Sequence, residues 1–95
     1  MNLQEGLESI GVMAFSKTII SNIVIPKSVK HIADRAFCEC ALLSSVTLQE
    51  GLEYLGSYCF DRTNLAKILL PKSIKDVAYD GFIGAGYKRI YMDYQ

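Results

Sequence analysis

The chain has 95 residues, of which 51% are hydrophobic and 21% charged, and its ten basic residues balance ten acidic ones. This composition is typical of a folded domain and lacks the basic excess of most nucleic-acid-binding or membrane-surface modules. No apolar run approaches the roughly 18 residues that span a bilayer, and nothing resembles a signal peptide, so we expect no direct membrane insertion. Three cysteines cannot all pair within one chain, which argues against a disulfide-stapled miniprotein.

The phenylalanines recur at a regular interval along the whole chain. Phe15, Phe37, Phe60 and Phe82 fall 22, 23 and 22 residues apart, and each follows a small residue. Other apolar residues recur at matching positions before and after each Phe. Such a period predicts a solenoid, in which each coil buries its hydrophobic edge against its neighbours.

The repeats divide the chain into stacked units of a single domain. The units are a partial coil at 1–19, coils at 20–42, 43–64 and 65–86, and a partial coil at 87–95. This is a very short array, and solenoids normally end in polar capping repeats. We therefore expect either a fragment of a longer array or ends that pair with another molecule.

One segment of each coil has the pattern of a β-strand, because outward side chains alternate with inward Ile, Val, Leu or Met. These segments lie at 22–25, 45–48, 67–70 and 89–92. We expect them to stack as one parallel sheet. The stretches at 33–37 and 56–60 are too short for full helices, so turns or single helical turns should lie behind the sheet.

The hexapeptide Leu-Gln-Glu-Gly-Leu-Glu occurs twice, at 3–8 and 48–53, and alternates with the Pro-Lys-Ser segments at 26–30 and 71–75. Stacking the coils predicts two surface rows in which the charge alternates in sign. These rows are Glu5, Lys27, Glu50, Lys72 and Glu8, Lys30, Glu53, Lys75. Because neighbouring strands lie about 4.8 Å apart, a slip by one coil would place like charges together. We interpret the repeated motif as a device that sets the register of the coils, not as a ligand-binding motif.

The pattern Ile-x-Ile-Pro-x-Ser-Val-x-x-Ile-x-x-x-Ala-Phe-x-x-Cys runs from Ile23 to Cys40 and is echoed from Ile68 to Phe82. It resembles the BspA-like class of leucine-rich repeat over essentially the whole chain, although Gln replaces Pro in two repeats. The resemblance implies an α/β-type leucine-rich-repeat solenoid, rich in β structure, with 22–23-residue coils forming a parallel sheet and short turns or 3₁₀ turns behind it. Many proteins with such repeats are surface or secreted proteins of bacteria and protists implicated in adhesion, so the resemblance also implies a cell-surface or secreted setting.

An enzymatic role is not supported by these residues. The single histidine, His31, shares a predicted outward row with Ser9, Tyr54 and Asp76, as expected of solvated side chains. Acid-base or nucleophilic chemistry needs a pocket with perturbed groups, and a solenoid this short encloses none. We therefore predict no catalytic residue and no cofactor.

The cysteines are predicted to be packing residues. Cys59 and Cys40 occupy small positions of the repeat, whereas Cys38 falls in a row predicted to be exposed and is the thiol expected to oxidise first. A structural zinc site needs four ligands, and a fourth ligand is missing beside these three thiols. We predict no metal site.

The outward side chains of the strand segments form the surface that is free to bind a partner. Towards the carboxyl end this surface becomes basic, apolar and aromatic, a combination typical of protein interfaces. The candidate partner-binding residues are Lys67, Leu69, Lys72, Arg89, Tyr91 and Tyr94. In the predicted rows Lys67 aligns with Arg89, and Leu69 with Tyr91. We predict a non-catalytic module for protein binding or adhesion; the alternatives are a passive spacer, a self-associating unit and glycan binding.

The carboxyl end carries a separate cluster of tyrosines. Tyr87, Tyr91 and Tyr94 lie at a predicted uncapped end, where strand edges and hydrophobic rows would be exposed. They are the candidates for end-to-end contact with a second copy of the chain.

Overall fold

The computed structural model describes residues 3–78 and the backbone of residues 91–94. Within these ranges the chain forms short strands joined by turns and contains no helix, hence none that is long and apolar enough to cross a membrane. The strands are β1 (Ser9–Ile10), β2 (Asn22–Val24), β3 (His31–Ile32), β4 (Ser45–Thr47), β5 (Tyr54–Leu55), β6 (Lys67–Leu70), β7 (Asp76–Val77) and β8 (Tyr91–Tyr94).

Two-residue strands build the longest continuous sheet of the solenoid. Strands β1, β3, β5 and β7 pair in parallel in that order, and His31 lies opposite both Ser9 and Tyr54. The predicted outward row that ends at Asp76 is thereby confirmed. The sequence did not indicate strands here, because two residues are too few to show an alternating pattern.

The predicted strand segments form two separate pairs. Strand β2 pairs with β4 and β6 pairs with β8, both in parallel, but no ladder of strand hydrogen bonds joins β4 to β6. The expectation of one continuous sheet along these segments is therefore wrong at this position. The parallel stacking of the coils and the turns behind the strands are confirmed.

The register of the last strand differs from the predicted rows. Lys67 lies opposite Tyr91 and Leu69 opposite Asp93, whereas the sequence predicted Arg89 and Tyr91 as their partners. A shift by two residues keeps every position on the same face of a strand, so the apolar pattern is satisfied by both registers.

The turns form a third hydrogen-bonded side of each coil. The amides of Arg35, Phe37 and Glu39 donate to carbonyls of the next coil at 2.8, 2.9 and 2.7 Å. Those of Ala36 and Cys38 instead donate to carbonyls three residues back, at 3.3 and 3.1 Å. Successive amides thus alternate between stacking the coil on its neighbour and closing its own turn.

These turns require a left-handed backbone at two positions per coil. None of these positions is occupied by glycine, although φ lies between 54° and 63° at all of them. The residues are Met13, Lys17, Arg35, Glu39, Tyr58 and Arg62. A left-handed conformation costs an ordinary residue roughly 1–2 kcal/mol. The hydrogen bonds between neighbouring turns offset this cost, so the conformation depends on stacking rather than on local preference.

The core is a column of phenylalanine rings between the strands and the turns. The rings of Phe15 and Phe37 stack at 5.3 Å and 4°, and those of Phe37 and Phe60 at 5.7 Å and 10°. Phe37 and Phe60 are fully buried, as are the small residues Ala36 and Cys59 that precede them. Phe82 lies outside the described residues.

The repeated Glu-Gly-Leu segment is held by the serine of the following coil. The Ser28 hydroxyl accepts a hydrogen bond from the Gly6 amide at 3.0 Å and donates one to the Leu7 carbonyl at 2.7 Å. Ser73 makes the same two contacts with residues 51 and 52, at 2.9 and 2.8 Å. The alternation of the two sequence motifs therefore reflects a specific contact between an odd and an even coil.

The predicted charge rows form ion pairs at one position within the part of the chain that the structure describes. Lys75 Nζ lies 3.4 Å from a carboxylate oxygen of Glu53. The Glu50 carboxylate instead accepts the main-chain N–H groups of Lys72 and Ser73, at 2.8 and 3.0 Å. Hydrogen bonds to the main chain, more than alternating ion pairs, connect these coils.

Candidate functional site

The outward side chains of β2, β4 and β6 form a surface that we call the strand face. Its two rows are Asn22, Ser45, Lys67 and Val24, Thr47, Leu69. Strand side chains alternate between the two sides of a sheet, so these residues lie on the side opposite the core. Leu69 is 42% exposed, which is high for a large apolar residue.

A cleft of about 330 Å³ opens in the strand face between β4 and β6. Residues 44–48 line one wall and residues 67–69 line the other. The cleft therefore lies at the position where the ladder of strand hydrogen bonds is interrupted.

The two coils that border the cleft remain joined on its other sides. Strand β5 of the first coil pairs with β7 of the second, and the Lys75 amide donates to the Glu53 carbonyl at 2.8 Å. The ladder of strand hydrogen bonds between these two coils is thus missing along β4 and β6 but present between β5 and β7.

The lining of the cleft combines buried apolar residues with exposed residues that are mostly polar. Val46, Leu48 and Ile68 also line the cleft but are at most 9% exposed, because they lie at the inward positions of their strands. The exposed lining residues are Ser44, Ser45, Thr47, Lys67 and Leu69. Among the residues that the structure describes, the exposed lining thus offers hydroxyl groups, one ammonium group and one apolar side chain, and no carboxylate.

The predicted partner-binding residues differ in their position relative to the cleft. Lys67 and Leu69 line the cleft, whereas Lys72 is exposed just beyond the strand. In the backbone register Tyr91 lies opposite Lys67, and Tyr94 lies opposite Leu70, a position whose side chain is buried in β6. Arg89 and Tyr87 lie outside the described residues.

Sequence reasoning missed the contribution of β4 to this site. It emphasised basic and aromatic residues, whereas the opposite wall consists of the small polar and apolar residues 44–48. No sequence signal marks this wall, because its residues have the same strand pattern as their counterparts in the other coils.

A second surface feature lies on the four-stranded sheet. The rings of His31 and Tyr54 stack at 4.6 Å and 12°, and both side chains are exposed. Because His31 and Tyr54 lie opposite each other on neighbouring strands, the stacked rings are explained as a cross-strand pair that stabilises the sheet. Within the described residues, no group of three or more His, Cys, Asp or Glu side chains is arranged to hold a metal ion.

All three cysteines have free thiols and are buried. The predicted exposure of Cys38 is wrong: the residue is only 9% exposed, because the turn packs it against the neighbouring coils. Burial, followed by the nearby Asp61 and Glu39 carboxylates, raises the pKa of the Cys38 thiol. Burial raises the pKa of Cys59 to about 12.

The thiols of Cys40 and Cys59 also form hydrogen bonds with the main chain. Cys59 Sγ donates towards the carbonyls of Gly56 and Ala33, at 3.1 and 3.2 Å, and Cys40 Sγ towards that of Phe15 at 2.9 Å. These contacts support the prediction that Cys40 and Cys59 are packing residues.

Comparison with known proteins identifies the repeat. Residues 1–87 match the family model described as the BspA type leucine rich repeat region, in six copies. The chain is also similar to the crystal structure of a leucine-rich repeat protein from Bacteroides capillosus ATCC 29799, with 30% sequence identity and a TM-score of 0.77. The match covers 92% of this chain and 64% of that one, so the chain spans less than two thirds of the solved protein. None of the curated proteins compared with the sequence matches it.

Proposed function

Because this chain belongs to the BspA-type leucine-rich repeat family, whose modules generally mediate protein interactions, we propose that its strand face binds another protein. Adhesion at a cell surface is the finer form of this proposal and is based on the family resemblance alone. The family and its fold are generally non-enzymatic. We treat residues 1–95 as one solenoid domain, with the coil boundaries inferred from the sequence.

The cleft between β4 and β6 is the observation that carries the proposal. A regular stack of coils would join β4 to β6 by strand hydrogen bonds, but here that ladder is interrupted and a cleft lies between the two strands. Apolar clefts with a few polar groups at the rim are typical of binding sites. Leu69 at the rim, 42% exposed, supplies apolar surface that a partner would remove from water.

The predicted partner-binding residues extend this site along the same face. Lys67 and Leu69 form its centre, and Lys72 follows at the end of β6. We include Arg89 and Tyr91 as the carboxyl-terminal continuation of the proposed surface, with Tyr91 beside Lys67 in the backbone register, whereas Tyr94 lies opposite the inward position of Leu70 and is left out of it.

Selection from a phage-displayed random peptide library on the immobilised protein tests this function. We expect peptides that are enriched on the wild-type protein and lost on Leu69→Ser, because that substitution removes exposed apolar surface at the cleft without opening the core. Val12→Ser is the matched control, since Val12 is 65% exposed but lies in the first coil, away from the cleft. Failure to enrich any peptide, or equal enrichment on wild type and Leu69→Ser, would overturn the proposal.

A further inference from the structure

The inner apolar rows of the solenoid become exposed where they reach the coil at 1–19. Leu7 is 39% exposed, whereas Val29 and Leu52, its equivalents in the next two coils, are 0% and 1% exposed. Phe15 is only half-buried, although it stacks on a phenylalanine that is fully buried. Each later coil is covered on this side by the coil before it. We call the outer side of the coil at 1–19 the amino end.

Two glycines of the coil at 43–64 make room for the main chain of the coil before it. A Cβ at Gly51 would overlap the Lys27 carbonyl oxygen, and a Cβ at Gly56 would lie 2.7 Å from the Asp34 nitrogen. These distances are too short for a real Cβ, so the contact between the two coils requires glycine at both positions. The coil that fills this space is the one with the Pro-Lys-Ser segment at 26–30.

The amino end has glycine at the same two positions of the repeat. Gly6 and Gly11 correspond to Gly51 and Gly56, yet a Cβ at either would meet no atom within 4 Å. Gly6 has a left-handed φ of 99°, which by itself favours glycine, but the backbone of Gly11 is not left-handed. Both open positions therefore fit the main chain of another Pro-Lys-Ser coil.

The described residues include a second Pro-Lys-Ser coil, at 71–78, on the opposite side of the stack. Its strand β7 is the last in the order β1-β3-β5-β7, as β1 is the first. Strands at the edge of a sheet can pair with another chain. Ile74 occupies the same row of the repeat as Leu7 and is also less buried than the inner members of that row. Residues 71–78 thus provide the kind of surface that the two glycine positions accommodate.

The hydrogen bonds between inner coils indicate how β1 would pair with β7 of a second copy. The Gly56 amide donates to the Ile32 carbonyl of the preceding coil at 2.8 Å. By the same register, the Gly11 amide would donate to the Val77 carbonyl of the second copy. The four-stranded parallel sheet would then continue from one copy into the next.

The charges favour this arrangement over contact between two amino ends. Glu5 and Lys72 are the first and last members of one charge row, and both are exposed. Neither forms an ion pair with a residue that the structure describes. Stacking residues 71–78 on the amino end brings Lys72 towards Glu5 and continues the alternation of charge, whereas joining two amino ends would bring Glu5 towards its own copy.

We propose that the amino end binds residues 71–78 of a second copy of this chain, in the same way as inner coils stack. Leu7 of one copy packs on Ile74 of the next, and the main chain of the second copy enters the open positions at Gly6 and Gly11. The two contacting surfaces are different, so copies add head to tail and association continues beyond a dimer. This contact is separate from the strand face.

Strand β8 of the second copy lies beside this joint. Tyr94 lies opposite Leu70, and Leu3 has the corresponding position in the coil at 1–19. The two residues cannot both occupy that position, so β8 displaces Leu3 where two copies meet.

Light scattering of the full chain over a hundredfold range of concentration, with a reductant present, tests the proposal. We expect the mass of the wild type to rise with concentration. Gly11→Ala should weaken association roughly tenfold, because its methyl group occupies space that the second copy needs. The same substitution should leave the unfolding midpoint unchanged or raise it, because it meets no atom within one copy. Ala41→Ser, which also adds one atom at an exposed position but lies away from both surfaces, is the matched control.

A mixing experiment identifies which surfaces meet. Leu7→Glu places a charge on the amino end and leaves residues 71–78 free, whereas Ile74→Glu does the reverse. We expect each variant alone to be a monomer and the equimolar mixture to form a dimer that grows no further. Circular dichroism checks that both variants are folded. If Ile74→Glu is unfolded, Lys72→Glu takes its place, because it sets a carboxylate towards Glu5 of the next copy.

Four outcomes would overturn the proposal. The first is a wild type that remains monomeric throughout, and the second is unchanged association in Gly11→Ala. The third is association of Ile74→Glu alone, which would indicate contact between two amino ends. The fourth is a mixture of the two charged variants that remains monomeric while the wild type associates.

Discussion

Gly51 lies directly against the main-chain carbonyl of Lys27 in the preceding coil, with a left-handed φ of 117°. A Cβ at this position would overlap the Lys27 oxygen. Gly6, the equivalent residue of the first Leu-Gln-Glu-Gly-Leu-Glu segment, has a similar φ of 99°, but a Cβ there would meet no atom within 4 Å. Comparing the same substitution at the two glycines therefore separates the energetic cost of the backbone conformation from that of the steric overlap.

Alanine substitutions at these glycines should have unequal effects on stability. We expect Gly6→Ala to lower the free energy of unfolding by about 1 kcal/mol, because alanine disfavours a left-handed backbone. Gly51→Ala should lower it by roughly 2–4 kcal/mol, because overlap with the neighbouring main chain adds to that cost. Urea denaturation followed by circular dichroism measures both values. Equal losses would show that the close approach to Lys27 has no energetic consequence.

The serine contacts between coils predict a second graded effect. We expect Ser73→Ala to cost about 1–2 kcal/mol, because the Gly51 amide and Leu52 carbonyl both lose their partner at a partly buried site. Ser28→Ala should cost less, about 0.5–1 kcal/mol, because its contacts are exposed and water replaces them. Ser45→Ala is the control, since Ser45 is exposed on the strand face. The same denaturation experiment checks the order, and a loss at Ser45 equal to that at Ser73 would contradict it.

The Glu50 carboxylate predicts a pH dependence of stability. The N–H group of Lys72, with further help from Ser73, lowers the pKa of Glu50 below its ordinary value of 4.5. A pKa that is lower in the folded state means that the stabilisation is present above the unfolded-state value and is lost as the pH falls through the folded-state value. We expect Glu50→Gln to flatten the decline of the urea midpoint on acidification below about pH 4.5. An unchanged decline in this variant would rule out the contribution of Glu50.

The thiol of Cys59 should resist alkylation in the folded protein. Its pKa of about 12, compared with an ordinary value of 9.0, leaves about a thousandfold less thiolate near neutral pH, and thiolate is the reactive form. We expect iodoacetamide to modify Cys38, which is 9% exposed, before Cys59, which is fully buried. Cys59 should react only as the chain unfolds. Mass spectrometry of peptides from native and urea-treated samples measures the order; equally fast labelling of Cys59 in the native sample would refute the prediction.

The sequence by itself determined the repeat and much of its stacking. The 22- and 23-residue spacing of Phe15, Phe37 and Phe60 predicts a column of rings because equivalent residues of successive coils occupy equivalent environments. The same period placed His31 beside Tyr54, as the strand register confirms. Periodic features of this kind can be read from the sequence because every coil repeats them.

The tertiary structure alone decided where the repeat is broken. Strands β4 and β6 have the same apolar alternation as the others, yet the ladder between them is interrupted, and the cleft depends on that interruption. The shift of Tyr91 to the position opposite Lys67 is equally invisible in the sequence, because strand alternation cannot distinguish registers that differ by two residues. The serine contacts to residues 6 and 51 also had to be observed, since they join side chains to the main chain of another coil. Local pattern specifies which face of each coil is buried, whereas the fit between neighbouring coils decides which strands pair and where the cleft opens.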